Sequence, residues 1–334
     1  MSTLRAPPGA LVDVDLRRLP VQRAAVVVLG GGVAGLRAAL EAATFGRVLV
    51  VTKDEPLRSA SAWAQGGVAA AVDADDTPAE HAADTLAAGG GLSHTEVVDV
   101  VVRDAPERIA ELVDWGARFD LIAGRLAVGR EGGHRANRIV HAGGDATGAE
   151  IMRVLMERAA AHENIQLLER CFALDLLLDP AGAVRGVLIV RPDDGFAVVH
   201  ASATILATGG CACLYPRATP PPIATGDGLA MALRAGAVLR DLEMIQFHPT
   251  VLALDKPERR LISEAVRGEG ARLLARGGRR FMPEYDPRAE LAPRDIVSRA
   301  VFREMRRDRA PHVHLDVRHF PPGRFAERFP AIDR

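Results

Sequence analysis

Short, unbroken apolar runs alternate with glycine-rich turns along this chain. Ala24-Ala-Val-Val-Val-Leu29 has no polar face and is too short for a helix, so it predicts a strand buried on both sides. It runs into Gly30-Gly-Gly-Val-Ala-Gly35 and then into an Ala/Leu-rich stretch that predicts a helix. Arg47-Val-Leu-Val-Val-Thr52 predicts the second strand of a βαβ unit. Val184–Val190 and Phe196–His200 flank a Pro-Asp-Asp-Gly turn and predict a hairpin. Ala203–Thr208 predicts a further strand, closed by Gly209-Gly210. Thr225-Gly-Asp227-Gly opens a predicted helix, and Asp295–Arg306 predicts another. Thr147-Gly-Ala-Glu150 has capping-box spacing and predicts a helix over Ile151–Ala161. Residues 1–21 carry no such pattern and predict a flexible tail.

Composition narrows the class. At 334 residues two domains are expected, and 48% hydrophobic with 25% charged residues is ordinary for a globular chain. Lys+Arg (42) nearly equal Asp+Glu (43), which argues against a nucleic-acid binder. Aromatic residues, at 4%, are too few for base-stacking platforms. No run nears the roughly 20 apolar residues of a membrane span, and the first residues lack the apolar core of a secretory signal. Cys171, Cys211 and Cys213 form no CxxC pair, which fits a reducing, cytoplasmic setting and no metal site.

The glycines have physical roles in this frame. Gly30 permits a tight turn, Gly32 lets a pyrophosphate approach the backbone, and Gly35 lets helix and strand pack closely. The start of the helix presents N–H groups and a positive dipole end to phosphates. The second strand ends in Val51-Thr52-Lys53 rather than in the acidic residue that holds the ribose in NAD sites. Asp227, at a glycine-rich helix start, is placed either to bind a ribose or to cap its helix. His248, immediately before Pro249, cannot sit inside a regular helix. Arg294 offers a fixed fork of donors suited to a dicarboxylate, or an ordinary surface ion pair.

Ser59-Ala60-Ser61-Ala62-Trp63-Ala64-Gln65-Gly66-Gly67 resembles the flavin-contacting loop of the succinate dehydrogenase/fumarate reductase flavoprotein superfamily. The resemblance implies FAD as cofactor. The implied contacts are Gly30, Gly31, Gly32, Val33, Ala34, Gly35, Lys53, residues 60–67, Thr208, Gly209, Gly210 and Asp227. Ala60 stands where some members carry the histidine that binds FAD covalently, so the implied FAD is non-covalent. Arg130-Glu131-Gly-Gly-His134, Arg138-Ile-Val-His-Ala-Gly-Gly-Asp145-Ala-Thr147-Gly and Glu243-Met-Ile-Gln246-Phe-His248-Pro-Thr250 are similar to segments of the L-aspartate oxidases within it. By that resemblance Glu131 faces the substrate amine, His248 donates a hydrogen bond to a substrate carboxylate, and Arg294 is the active-site arginine. Gln246, Ser263 and Glu264 complete the implied substrate site. Asp145 and Thr147 read equally well as family residues or as helix-start structure.

The expectation is therefore an α/β protein. A Rossmann-like FAD-binding domain spans 22–245, and an incomplete α+β capping domain spans 246–334. The implied reaction oxidises L-aspartate to iminoaspartate, with O2 (giving H2O2) or fumarate as acceptor. It is the first step of NAD biosynthesis, with hand-off to quinolinate synthase. The implied family pattern continues past residue 334, so truncation, weak FAD binding and low activity are expected. The alternatives are a fumarate reductase/succinate dehydrogenase-like flavoprotein and a non-catalytic remnant.

Overall fold

The computed structural model describes residues 4–216, 218–253 and 261–333. The extreme ends of the expected tail and capping domain, residues 1–3 and 334, lie outside them. The chain forms two compact units. One comprises 1–63 and 151–245, the other 64–150 and 246–334. Residues 64–150, placed in the FAD-binding domain from sequence, belong instead with the second unit.

The first unit is built on a six-stranded sheet. Its strands are β1 (Val21–Leu29), β2 (Val48–Val51), β3 (Ile165–Leu168), β4 (Phe172–Leu178), β5 (Val184–Arg191) and β6 (Gly195–Leu206). The spatial order is β3-β2-β1-β6-β5-β4. The β3-β2-β1-β6 half is parallel, and β6-β5-β4 is an antiparallel meander. Residues 27–29 and 48–51 have no polar face because they are covered on both sides. Val27, Val28, Val48, Leu49 and Val50 are fully buried. The predicted hairpin and the predicted strand at 203–208 share one strand, since β6 runs through both. Its first half pairs with β5 and its later residues with β1. Helix α1 (Val33–Ala42) crosses between β1 and β2, and α2 (Asp227–Arg234) packs near β4.

From Leu4 onward, the segment read as a flexible tail is packed. Leu4, Val12, Val14, Leu16 and Leu19 cover Leu177, Leu188 and Val198 on the sheet. Arg5 bridges to Leu178, and the Leu11 N–H donates to Asp175 at 2.9 Å. Irregular spacing hides this apolar set, because it follows a loop rather than a helix or strand. Deleting residues 1–19 should uncover those three core side chains and cost about 3 kcal/mol. A denaturation midpoint unchanged by the deletion would refute that cover.

The second unit is α+β. A three-stranded sheet joins Val68–Ala69, Ile139–Val140 and Val128–Gly129, beside helices Pro78–Ala88 and Thr95–Asp114. A second core gathers Leu273, Phe281, Met282, Val297 and Ala300, the last two from helix Arg294–Asp308. The helix expected from Ile151 starts four residues earlier, at Thr147 itself. Its hydroxyl donates to the Gly66 carbonyl at 2.6 Å and accepts from Ala142 N–H, while Glu150 accepts from Arg118 N–H.

Candidate functional site

In the first unit the chain leaves β1 on one side towards β2, while β6 lies on the other. A crevice opens at such a switch point, beyond the carboxyl ends of the strands. Gly30, Gly31, Gly32, Lys53, Ala60, Ser61, Thr208, Gly209, Gly210 and Asp227 line it. Backbone crowding explains the glycines. A Cβ on Gly30 (φ +114°) would lie 2.2 Å from the Ala207 carbonyl oxygen, and one on Gly35 1.9 Å from that of Gly30. Ser61 accepts the Val33 N–H at 3.1 Å, fixing the start of α1. Lys53 reaches across to Asp227 as an ion pair and to Thr225 at 2.6 Å. Asp227 thus neither caps its helix nor stands alone; a lysine holds it at the rim of the crevice.

The expected flavin loop divides between the units. Residues 60–63 belong to the first, with Trp63 about half exposed. Residues 64–67 belong to the second. There a Cβ on Gly66 would sit 2.9 Å from Glu131 Oε1, and one on Gly67 2.4 Å from the Val140 carbonyl.

The second unit gathers the expected substrate residues into one polar site. Arg294 donates to Gln246 at 2.7 Å, pairs with Glu264, and lies 3.8 Å from Glu131. Ser263 caps the short helix Glu264–Gly268 through the Ala265 N–H, so its hydroxyl serves structure here. Glu264 and Arg267, three residues apart on that helix, are buried and approach to 3.2 Å. They lack hydrogen-bond alignment. Glu131 Oε1, Glu264 Oε1 and two nitrogens of Arg267 have no hydrogen-bond partner among the described residues. Orphaned polar atoms of both signs in one buried site call for a ligand.

Burial, reinforced by Glu264 and opposed by Arg294 and Arg267, raises the Glu131 pKa to about 6. Burial and the Arg294 charge push His248 down to about 4, so it is neutral at ordinary pH. His248 Nδ1 lies 3.2 Å from both the N–H and the carbonyl of Thr250, which fixes the ring in either tautomer. Sequence reading passed over Arg267, although its spacing from Glu264 was a usable signal. It also passed over Arg138, which is buried between two aspartates.

Residues 25–334 match the family model described as FAD binding domain. The chain belongs to the FAD-binding domain family. This domain is similar to L-aspartate oxidase of Streptomyces coelicolor, with 48% identity over 98% of the chain and 57% of the relative. It is also similar to L-aspartate oxidase of Synechocystis sp., with 46% identity over 92% and 56%. Among solved structures it resembles a quinol fumarate reductase of E. coli. There the TM-score is 0.88 and the identity 33%, over 94% of this chain and 57% of that one. The chain thus spans little more than half the length of the relatives it matches.

FAD is the cofactor of this family, and the crevice fits it. A glycine turn that excludes side chains and leads into a helix start suits a pyrophosphate. Lys53 and Asp227 line the same crevice as a polar, ion-paired couple. Ala60 carries no nucleophilic atom with which to attach a flavin. No metal-binding group of three or more His, Cys, Asp or Glu occurs among the described residues. No helix among them is long and apolar enough to cross a membrane.

Proposed function

We propose that this FAD-binding domain acts in the oxidation of L-aspartate to iminoaspartate. The observation that carries the reading is the mixed sign of the buried site. Glu131 and Glu264 lie among Arg294 and Arg267. An amino dicarboxylate has a cation for the first pair and anions for the second. Succinate and fumarate lack the cation and leave Glu131 unused. Relatives named L-aspartate oxidase support the same reading.

On this reading Glu131, ionised above about pH 6, orients the substrate ammonium. His248 and Arg294 donate to its carboxylates, and Gln246 steadies Arg294. The guanidinium forms charge-assisted hydrogen bonds. When bound, FAD would supply the acceptor for the hydride from Cα, while the substrate nitrogen gives up a proton to solvent so that the C=N bond can form. Electrons then pass to dioxygen or fumarate, and iminoaspartate passes to quinolinate synthase in the cytoplasm. Lys53, Ser61, Thr208 and Asp227 are the proposed nucleotide contacts.

The test is substrate binding followed by the flavin spectrum across pH. Below about pH 6 Glu131 gains a proton and loses the charge that pairs with ammonium, so affinity for L-aspartate should fall with pH. Glu131→Gln should weaken L-aspartate by about 10–100-fold, the value of one or two charged hydrogen bonds. It should leave succinate nearly unchanged. Oxidation of succinate without oxidation of L-aspartate would overturn the proposal in favour of the fumarate reductase alternative.

A further inference from the structure

Glu131 stands in a loop, 130–137, that leaves one short strand at Gly129 and returns to another at Arg138. The Arg138 N–H closes its neck on the Gly129 carbonyl at 3.0 Å. The guanidinium of Arg138 is fully buried. It grips Asp76 with two parallel hydrogen bonds, 2.7 Å to Oδ2 and 2.8 Å to Oδ1, and Asp84 with a third at 2.8 Å. Asp84 lies on helix Pro78–Ala88, and Asp76 lies just before it. Asp84 also takes the Arg135 N–H at 2.9 Å and the Arg135 side chain. One buried carboxylate thus fastens the returning limb of the loop to that helix through three hydrogen bonds. On its other side the loop is pressed tight: a Cβ on Gly132 would lie 2.4 Å from Glu264, and one on Gly268 2.5 Å from the Arg130 carbonyl.

A buried fork of this kind is costly unless every partner is matched. Burial alone would raise the pKa of Asp76 and of Asp84. Their hydrogen bonds to arginine and to backbone N–H groups outweigh it and hold both below the ordinary carboxylate value. The neighbouring rings of His81 and His134, 6.0 Å apart, are kept neutral chiefly by burial and then by the Arg138 charge. The arrangement therefore carries balanced charge without touching the polar site. The loop links it to that site.

We propose that Arg138, held between Asp76 and Asp84, is a positioning residue that sets where the Glu131 carboxylate stands and so tunes recognition of the substrate ammonium. This rests on the aspartate reading above and deepens it. Arg138→Lys keeps the charge and loses the fork; Asp84→Asn removes the charge and one acceptor oxygen, loosening the loop's hold on the helix, while Arg138 stays paired with Asp76. In the FAD-loaded chain, each should raise KM for L-aspartate by about tenfold or more, the scale expected of small misplacements. Affinity for succinate, which has no amine, should change less than about threefold, as should FAD affinity. In the protein without FAD, amide exchange over 130–137 should quicken while β1 and β2 stay protected. A merely structural role would weaken L-aspartate, succinate and FAD together, and that result overturns the proposal. So does unchanged exchange over 130–137, whatever the substrate. A wild-type chain that binds succinate but not L-aspartate overturns the aspartate reading, and the proposal with it.

Discussion

Replacing Arg294 with glutamine is expected to lower kcat/KM for L-aspartate by about 10³-fold, the scale of removing one aligned charge-stabilising donor. The loss should exceed that of any other single change in the polar site, because Arg294 has several roles. It holds Gln246 at 2.7 Å, compensates the buried Glu264 carboxylate, and lies 3.8 Å from Glu131. Its charge is also one of the influences that keep the Glu131 pKa from rising further. Without it that pKa moves above about 6, so the acid limb of the pH–rate profile should shift to higher pH. Arg294→Lys separates the two effects. A lysine keeps the charge and should hold the acid limb in place, but it cannot reproduce the fork and should recover little of the rate. Retention of activity within tenfold in Arg294→Gln would remove this residue from the proposed mechanism.

The second large effect is expected at the β1–α1 turn. Gly30→Ala should destabilise the domain by about 4 kcal/mol and abolish FAD binding. Two costs add. The φ of +114° is a region that side-chain-bearing residues rarely adopt, costing about 1–3 kcal/mol. The new methyl would stand 2.2 Å from a backbone carbonyl that β6 holds in register, and overpacking of that kind costs about 1–3 kcal/mol more. Gly31→Ala is the control. Its methyl would meet side-chain atoms of Thr52 and Pro56 at 3.2 Å or more, with no positive φ, so the loss should be far smaller. Thermal denaturation and flavin absorbance read both outcomes. A Gly30→Ala protein with normal FAD content would show that the turn is not the cradle.

The strand, turn and helix around Gly30–Gly35 were legible because local sequence alone determines them: a buried run, a crowded turn and a helix start. The hairpin around residues 192–195 was legible for the same reason. The length of β6 was not, since His200, Ser202 and Thr204 interrupt its apolar pattern where it passes from β5 to β1. The packed N-terminal segment was missed because no period describes side chains on an irregular path. The polar site was legible only as family motifs. Gln246 and Arg294, or Glu131 and Glu264, lie far apart in the chain, and no spacing predicts their meeting. Arg138 and its aspartates are separated by 54 and 62 positions. A long-range ion pair leaves no trace in local pattern.

The first unit is interrupted by the second, and this bears on its synthesis. β1 and β2 leave the ribosome early, yet β3 and β6, which pair with their outer edges, come more than a hundred residues later. At about 5–20 residues per second, two apolar strand edges stay open for on the order of ten seconds. During that interval residues 64–150 emerge without the partners that residues 246–334 will supply. Yield on expression is therefore expected to depend on translation speed across this interval as well as on the stability of the finished fold.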